Sequence, residues 1–78
     1  MTTSEVFRMY MRSVIRGYLD RTTFKPLSHF KGACIYEARH DHVYDEEPLF
    51  WNSLLSLVVD KKIEVKVENN KVVYRTLS

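Results

Sequence analysis

The segment from residue 61 to residue 78 constrains the fold most, because apolar and polar side chains alternate on both sides of an asparagine pair. It reads KKIEVKVENNKVVYRTLS. Alternation with a period of two is typical of a β-strand with one covered face. Asparagine tolerates the left-handed backbone of a two-residue type I′ turn. Asn69 and Asn70 therefore predict a β-hairpin in which Val65 lies opposite Tyr74.

The register that this turn predicts separates the side chains of the hairpin by chemical type. Opposite charges face each other at Glu68 and Lys71, and again at Glu64 and Arg75. The other face is apolar apart from one threonine, and it carries Ile63, Val65, Val67, Val72, Tyr74 and Thr76. A slip of one residue would move each of these side chains to the wrong face, so the register is well specified.

Two helical segments are predicted in the first half of the chain. Apolar residues three and four apart predict a helix over about residues 3–21, with a capping box formed by Thr2 and Glu5. A second helix is predicted over about residues 26–40, with Pro26 in its first turn. The predicted inner stripes are Phe7, Tyr10, Met11, Val14, Ile15 and Tyr18 in the first helix and Leu27, Phe30, Cys34 and Ala38 in the second.

A third helix, predicted over about residues 46–61, is the most apolar segment of the chain. Its apolar side chains cover more than half of the circumference, which predicts the central helix of the core. They are Phe50, Trp51, Leu54, Leu55, Leu57, Val58 and Val59. The remaining face carries Asn52, Ser53, Ser56 and Asp60 and is predicted to be exposed. The side chain of Asp45 is predicted to cap this helix.

Size and composition bound the classes of function. Seventy-eight residues predict one domain spanning 1–78, and 45% hydrophobic residues argue against disorder. A single cysteine forms no internal disulfide and favours a reducing compartment. Arg8 and Arg12 lie where a signal peptide would need its apolar core, and the longest apolar run is too short to span a bilayer. We therefore expect a cytoplasmic protein without a membrane anchor.

Three helices followed by a two-stranded hairpin resemble a winged-helix domain, and the predicted fold class is α+β. The stretch that carries the resemblance is LLSLVVDKKIEVKVENNKVVYRTLS. It is similar to the end of a recognition helix, the turn into the first strand of a wing, and the wing itself. The stretch covers about a third of the chain. Because it is a pattern of apolar spacing, it implies a fold and not a ligand.

Two features depart from a winged helix that reads DNA. The segment DHVYDEE makes the connection before the third helix longer than the usual three or four residues. That helix also begins with Asp45, Glu46 and Glu47, which place carboxylates where phosphates would lie. Its predicted exposed face carries no lysine or arginine. These features disfavour base reading by the third helix.

The first functional hypothesis is a small regulator that binds DNA or RNA and contacts mainly the phosphate backbone through the first helix and the wing. Residues 1–40 hold seven Lys or Arg against three Asp or Glu, so the positive charge is concentrated in that half. Three arginines spaced by four form a row along the first helix. The predicted contact residues are Arg8, Arg12, Arg16, Lys31, Asn52, Ser56, Lys66 and Lys71.

The alternative hypothesis is a winged-helix-like adaptor or inhibitor that binds a protein of the replication or transcription machinery. Its predicted contact residues lie on the second helix and at the acidic start of the third: His29, Tyr36, His40, Asp45, Glu46 and Glu47. Tyrosine is common at interfaces, and a cluster of carboxylates suits a basic partner. Association into a homodimer is left open.

Other classes of function find little support. The sequence contains no Gly-rich phosphate loop, nucleophile elbow or H-E-x-x-H motif, so no catalytic residue is assigned and no enzyme is expected. Cys34, His40 and His42 are residue types that bind metals. A structural zinc site needs two paired elements, however, so neither a metal nor another cofactor is predicted.

Overall fold

The protein is described by a computed structural model that covers residues 2–77. Met1 and Ser78, at the ends of the predicted domain and of the predicted hairpin segment, lie outside the described residues. The elements in chain order are α1 (Thr3–Tyr18), β1 (Lys25–Pro26), α2 (Leu27–His40), α3 (Glu46–Val59), β2 (Ile63–Glu68) and β3 (Lys71–Thr76). The predicted α+β class, with three helices before a C-terminal hairpin, is confirmed.

Helix α1 begins as the capping box predicts and ends earlier than its periodicity suggests. The backbone N–H of Glu5 donates to Oγ1 of Thr2 at 3.2 Å. At the other end Leu19 is extended, with φ −114° and ψ 159°. The next residue, Asp20, accepts hydrogen bonds from two backbone N–H groups of the following turn at 2.9 and 2.7 Å. This local turn competes with helix continuation and stops α1.

The hairpin forms in the predicted register. Val65 lies opposite Tyr74, and Glu64 lies opposite Arg75. The two turn asparagines have φ values of 53° and 63°, the left-handed conformation that a type I′ turn requires. We refer to β2, β3 and their turn as the wing.

A third strand, β1, was not predicted. Lys25 pairs with Tyr74 and Pro26 with Val73, so the sheet order is β1-β3-β2. A two-residue strand has no periodicity of its own and exists only because β3 lies beside it. Pro26 was predicted to lie in the first turn of α2. It is instead the N-cap residue of that helix.

The core lies where the three helices meet the base of the wing. Phe30 of α2 is fully buried, with its ring centroid 5.9 Å from that of Phe50 in α3 and 5.5 Å from that of Tyr74 in β3. The buried apolar cluster is Met11, Ile15, Leu19, Phe30, Cys34, Ile35, Ala38, Val43, Phe50, Leu54, Leu57, Ile63 and Tyr74. Burial, with a smaller effect of Glu37, raises the pKa of the Cys34 thiol to about 12, as befits a core residue.

The orientation of α3 is the main error of the sequence-based prediction. Trp51, Leu55 and Val59, predicted to lie in the core, are 41%, 62% and 69% exposed. Ser53, predicted to be exposed, is fully buried. A helix apolar on most of its circumference has no unique inward stripe. The polar residues Ser56 and Asp60 that follow Ser53 face α1, where an arginine binds both of them.

The start of α3 also differs from the prediction. Asp45 occupies the N-cap position in a left-handed conformation, with φ 56°, and its side chain makes no capping hydrogen bond. The predicted capping role of Asp45 is therefore wrong. Within residues 2–77, no helix has the length and apolar character needed to cross a membrane.

Candidate interaction surface

The outer side of α3 and the tip of the wing expose large apolar side chains. Their exposed fractions range from 38% for Val65 to 72% for Val67. We define the α3–wing surface by six residues: Trp51, Leu55, Val59, Val65, Val67 and Val72.

A groove between α3 and the wing makes this surface continuous. The groove has a volume of about 230 Å³ and is lined by Trp51, Leu54, Leu55, Val58, Val65 and Tyr74. Val59 lies one helical turn after Leu55. Val67 shares a strand face with Val65, and Val72 lies opposite Val67 in the hairpin. Helix and hairpin therefore present one apolar face to the outside.

Only the base of the wing is covered by the rest of the chain. Ile63, Tyr74 and Thr76 are at most 8% exposed, whereas Val67 and Val72 near the turn are 72% and 45% exposed. The predicted apolar face of the hairpin is thus confirmed as a row of side chains. The half of this face that lies near the turn does not belong to the buried core.

The opposite face of the wing carries charged side chains of both signs around the buried Val73, which lies opposite Lys66. Lys66 Nζ lies 2.8 Å from Glu68 and 4.0 Å from the ring centroid of Phe24. Arg75 lies 2.6 Å from Glu64 and also stacks over Phe24. These contacts satisfy Lys66 within the wing and leave this face with little net field for a polyanion.

The predicted arginine row of α1 is interrupted in its middle. Nη1 of Arg12 donates to Ser56 Oγ at 2.9 Å and lies 3.0 Å from Oδ2 of Asp60. Two predicted nucleic-acid contacts, Arg12 and Ser56, are therefore bound to each other and hold α1 against α3. Arg8 and Arg16 are exposed, and neither forms an ion pair with any residue between 2 and 77.

The other predicted nucleic-acid contacts do not assemble into one site. Lys31 lies 2.7 Å from Glu47 and 5.1 Å from the ring centroid of Trp51. Asn52 and Arg8 line a separate cleft of about 250 Å³ between the N-terminal ends of α1 and α3. Lys71 is exposed at the wing turn.

The acidic start of α3 is occupied by internal contacts. Glu46 accepts a hydrogen bond from Arg39 at 2.6 Å, and this bond lowers the pKa of the Glu46 carboxyl. The contact with Lys31 likewise lowers the pKa of Glu47. Two of the three carboxylates thus hold α2 against α3, while Asp45 is exposed.

The helix α2 residues predicted to bind a protein partner are accessible. Tyr36 is 72% exposed, and His29 and His40 are also exposed. The other three predicted partner contacts, Asp45, Glu46 and Glu47, lie at the start of α3. Across residues 2–77, no group of three or more His, Cys, Asp or Glu is arranged to hold a metal ion.

We expect Ser53→Ala to stabilise the protein by about 1 kcal/mol or to leave its stability unchanged. The buried Ser53 hydroxyl makes no hydrogen bond with any residue between 2 and 77, and an unsatisfied buried hydroxyl costs about 1–3 kcal/mol. Urea denaturation measures the change in the free energy of unfolding. Ser56→Ala is the control and should destabilise, because it removes the contact with Arg12. A clear loss of stability in Ser53→Ala would contradict this assignment.

The α3–wing surface could not be predicted from the sequence. Hydrophobic periodicity shows which side chains avoid water, but it does not show whether the same chain or a partner covers them. The signal was present in the apolar coverage of α3, which exceeds what one core contact can bury. In comparisons with known proteins, the chain has no significant match to a protein-family model, a curated protein or a solved structure.

Proposed function

We propose that this protein is a winged-helix-like adaptor that acts through protein–protein contacts of the α3–wing surface. The observation that carries the proposal is the exposure of six large apolar side chains on one face of a 78-residue chain. Contiguous apolar patches on soluble domains mark interaction sites when they are not covered by the chain itself.

The chemistry of this surface favours a polypeptide over a nucleic acid. The outer side of α3, which in a DNA-reading winged helix would enter the major groove, presents Trp51, Leu55 and Val59. Aliphatic side chains offer no donor to phosphates and none to base edges. The indole N–H of Trp51 is directed to Glu47 at 3.4 Å. A matching occupant is a protein surface of apolar side chains, which gains free energy from burial alone.

The charges of the molecule also favour the adaptor over the nucleic-acid hypothesis. Four of the eight predicted nucleic-acid contacts are engaged within the chain: Arg12, Lys31, Ser56 and Lys66. The exposed remainder is spread over α1, the cleft beside α3 and the wing turn. Dispersed cations neutralise few phosphates at once, and phosphate binding depends on that number.

A titration with mixed duplex DNA and RNA separates the two hypotheses. We expect no mobility shift at a low salt concentration of about 50 mM, where phosphate contacts are strongest. The variant Asp45→Ser/Glu46→Gln/Glu47→Gln is the positive control. It frees Lys31 and Arg39 from their carboxylates, so it should bind DNA and RNA more tightly than the wild-type protein does.

The nucleic-acid hypothesis makes the opposite prediction for the same titration. A salt-dependent shift by the wild-type protein that disappears in Arg8→Ala/Arg16→Ala would overturn the adaptor proposal. Both arginines are exposed, so their removal should leave the fold intact.

A further inference from the structure

Strand β2 has a free edge that points to solvent. The sheet order β1-β3-β2 leaves the outer side of β2 without a partner strand among residues 2–77. On the opposite side of the sheet the short strand Lys25–Pro26 pairs with Val73 and Tyr74, and proline donates no hydrogen bond to a neighbouring strand. β2 is therefore the long open edge of this sheet, the kind of strand on which another chain can pair.

The backbone groups that face this edge can be assigned from the hairpin register. The Lys62 carbonyl accepts a hydrogen bond from the Leu77 N–H at 2.9 Å, so residue 62 points its backbone toward β3. In an antiparallel pair such residues alternate. Ile63, Val65 and Val67 consequently direct their backbone N–H and C=O groups to the open edge.

The sequence of β2 is its own charge complement. When two β2 strands pair antiparallel about Val65, Lys62 faces Glu68 and Glu64 faces Lys66, in both directions. Opposite charges then meet at each polar position from 62 to 68, and such cross-strand pairs are favourable.

Other pairings of two β2 strands are worse. Centring the pair on Glu64 or Lys66 places like charges opposite each other. Centring it on Ile63 or Val67 runs the pairing into the turns at either end of the strand. Moving one strand by a single residue would place apolar residues of one copy opposite polar residues of the other. The alternation of side chains between the two faces of a sheet does not allow this pairing.

We propose that a second copy of this chain occupies the α3–wing surface, joined by antiparallel pairing of the two β2 strands about a twofold axis at Val65. This inference rests on the proposed function, because it takes the α3–wing surface as a protein interface. The result is a continuous six-stranded sheet with order β1-β3-β2-β2-β3-β1, and the contact is isologous, as is usual for homodimers.

The same pairing brings the exposed half of each β2 strand against the second copy. Val67 of one copy lies beside Ile63 of the second copy, at the base of that copy's wing where α3 packs. Val65 of each copy meets Val65 of the other. The apolar tip of one wing is thus brought to the groove of the other copy. A stable interface buries about 800 Å² per partner, roughly 15% of the 5241 Å² that this chain exposes.

Sedimentation velocity across a concentration series tests the pairing. We expect the wild-type protein to dimerise. Lys66→Glu places Glu64 opposite the new glutamate, and Glu64→Lys places the new lysine opposite Lys66. Each variant should dimerise about tenfold or more weakly, since two attractive pairs become repulsive. An equimolar mixture of the two variants restores opposite charges at both positions and should dimerise like the wild type.

The mixture distinguishes contacts between chains from contacts within one chain. Both variants lose an ion pair of their own wing, to Glu68 or to Arg75, and mixing cannot restore those pairs. Failure of the mixture to dimerise better than either variant would overturn the Val65-centred pairing. Tyr36→Lys, on the exposed face of α2, is the control and should dimerise like the wild type.

The outcomes also separate this inference from the proposed function. A wild-type protein that stays monomeric throughout the series overturns the second copy as occupant. The adaptor proposal then stands, with a different protein on the surface. The adaptor proposal is tested separately by the nucleic-acid titration, where a salt-dependent shift that needs Arg8 and Arg16 would overturn it. That titration does not depend on the oligomeric state.

Discussion

Phe30→Ala is expected to remove much of the free energy of unfolding, whereas Trp51→Ala is expected to destabilise the protein far less. Phe30 is fully buried and its ring contacts those of Phe50 and Tyr74, so it links α2, α3 and the wing. Truncating a buried phenylalanine costs about 3–5 kcal/mol. The free energy of unfolding is roughly 0.05–0.15 kcal/mol per residue, which gives about 4–12 kcal/mol for a chain of this size. The loss is therefore much of the stability.

Trp51→Ala is the comparison that tests how α3 is oriented. Trp51 is 41% exposed, and its ring centroid lies 5.3 Å from that of Phe50 and 5.1 Å from Nζ of Lys31. We expect a loss of about 1–2 kcal/mol, well below the value for a buried aromatic residue. Leu54→Ala, 4% exposed on the inner side of the same helix, should cost about 2–5 kcal/mol. Urea denaturation of the three variants gives the differences. A loss in Trp51→Ala as large as in Phe30→Ala would contradict the observed orientation of α3.

Arg12→Ala is expected to reduce the free energy of unfolding by about 1–2 kcal/mol. The Arg12 side chain is 26% exposed and binds both Ser56 and Asp60, so its loss removes the polar link between α1 and α3. A hydrogen bond to a charged group contributes about 1.5–3 kcal/mol when buried, and partial exposure reduces this figure.

The matched control for this variant is Arg16→Ala, one helical turn away. Arg16 is exposed without an ion pair to residues 2–77, so its replacement should change stability by about 0.5 kcal/mol or less. Arg12→Lys keeps the charge but loses the planar geometry and should fall between the two. Equal stability of Arg12→Ala and Arg16→Ala in urea would show that Arg12 is a surface residue, as the sequence-based nucleic-acid hypothesis requires.

The wing could be predicted from the sequence because its determinants are local. Two asparagines at the turn and strict alternation on each side fix the pairing of Val65 with Tyr74 without reference to the rest of the chain. Strand β1 had no such signal. Lys25 and Pro26 form a strand only through contact with β3, which is a tertiary effect.

The orientation of α3 could not be predicted for a different reason. Its apolar residues cover most of the helix, so periodicity left several inward faces open. The choice depends on α1, where Arg12 binds Ser56 and Asp60 and draws the polar side of α3 inward. Such a contact spans 44 residues of sequence and leaves no local pattern. The same orientation turns Ser53 and Ser56 of the predicted exposed face inward and an apolar face outward, which is the basis of the proposed protein-binding role.

A photoreactive side chain at position 55 tests the central claim most directly. Leu55 is 62% exposed at the middle of the α3–wing surface, so its replacement should not disturb the core. Tyr36, 72% exposed on α2, is the matched control position. After irradiation in the native cell extract, we predict a crosslink from position 55 that protease removes and nuclease does not, and less product from position 36. A nuclease-sensitive product from position 55, or no more product there than at position 36, would contradict the assignment of this surface to protein binding.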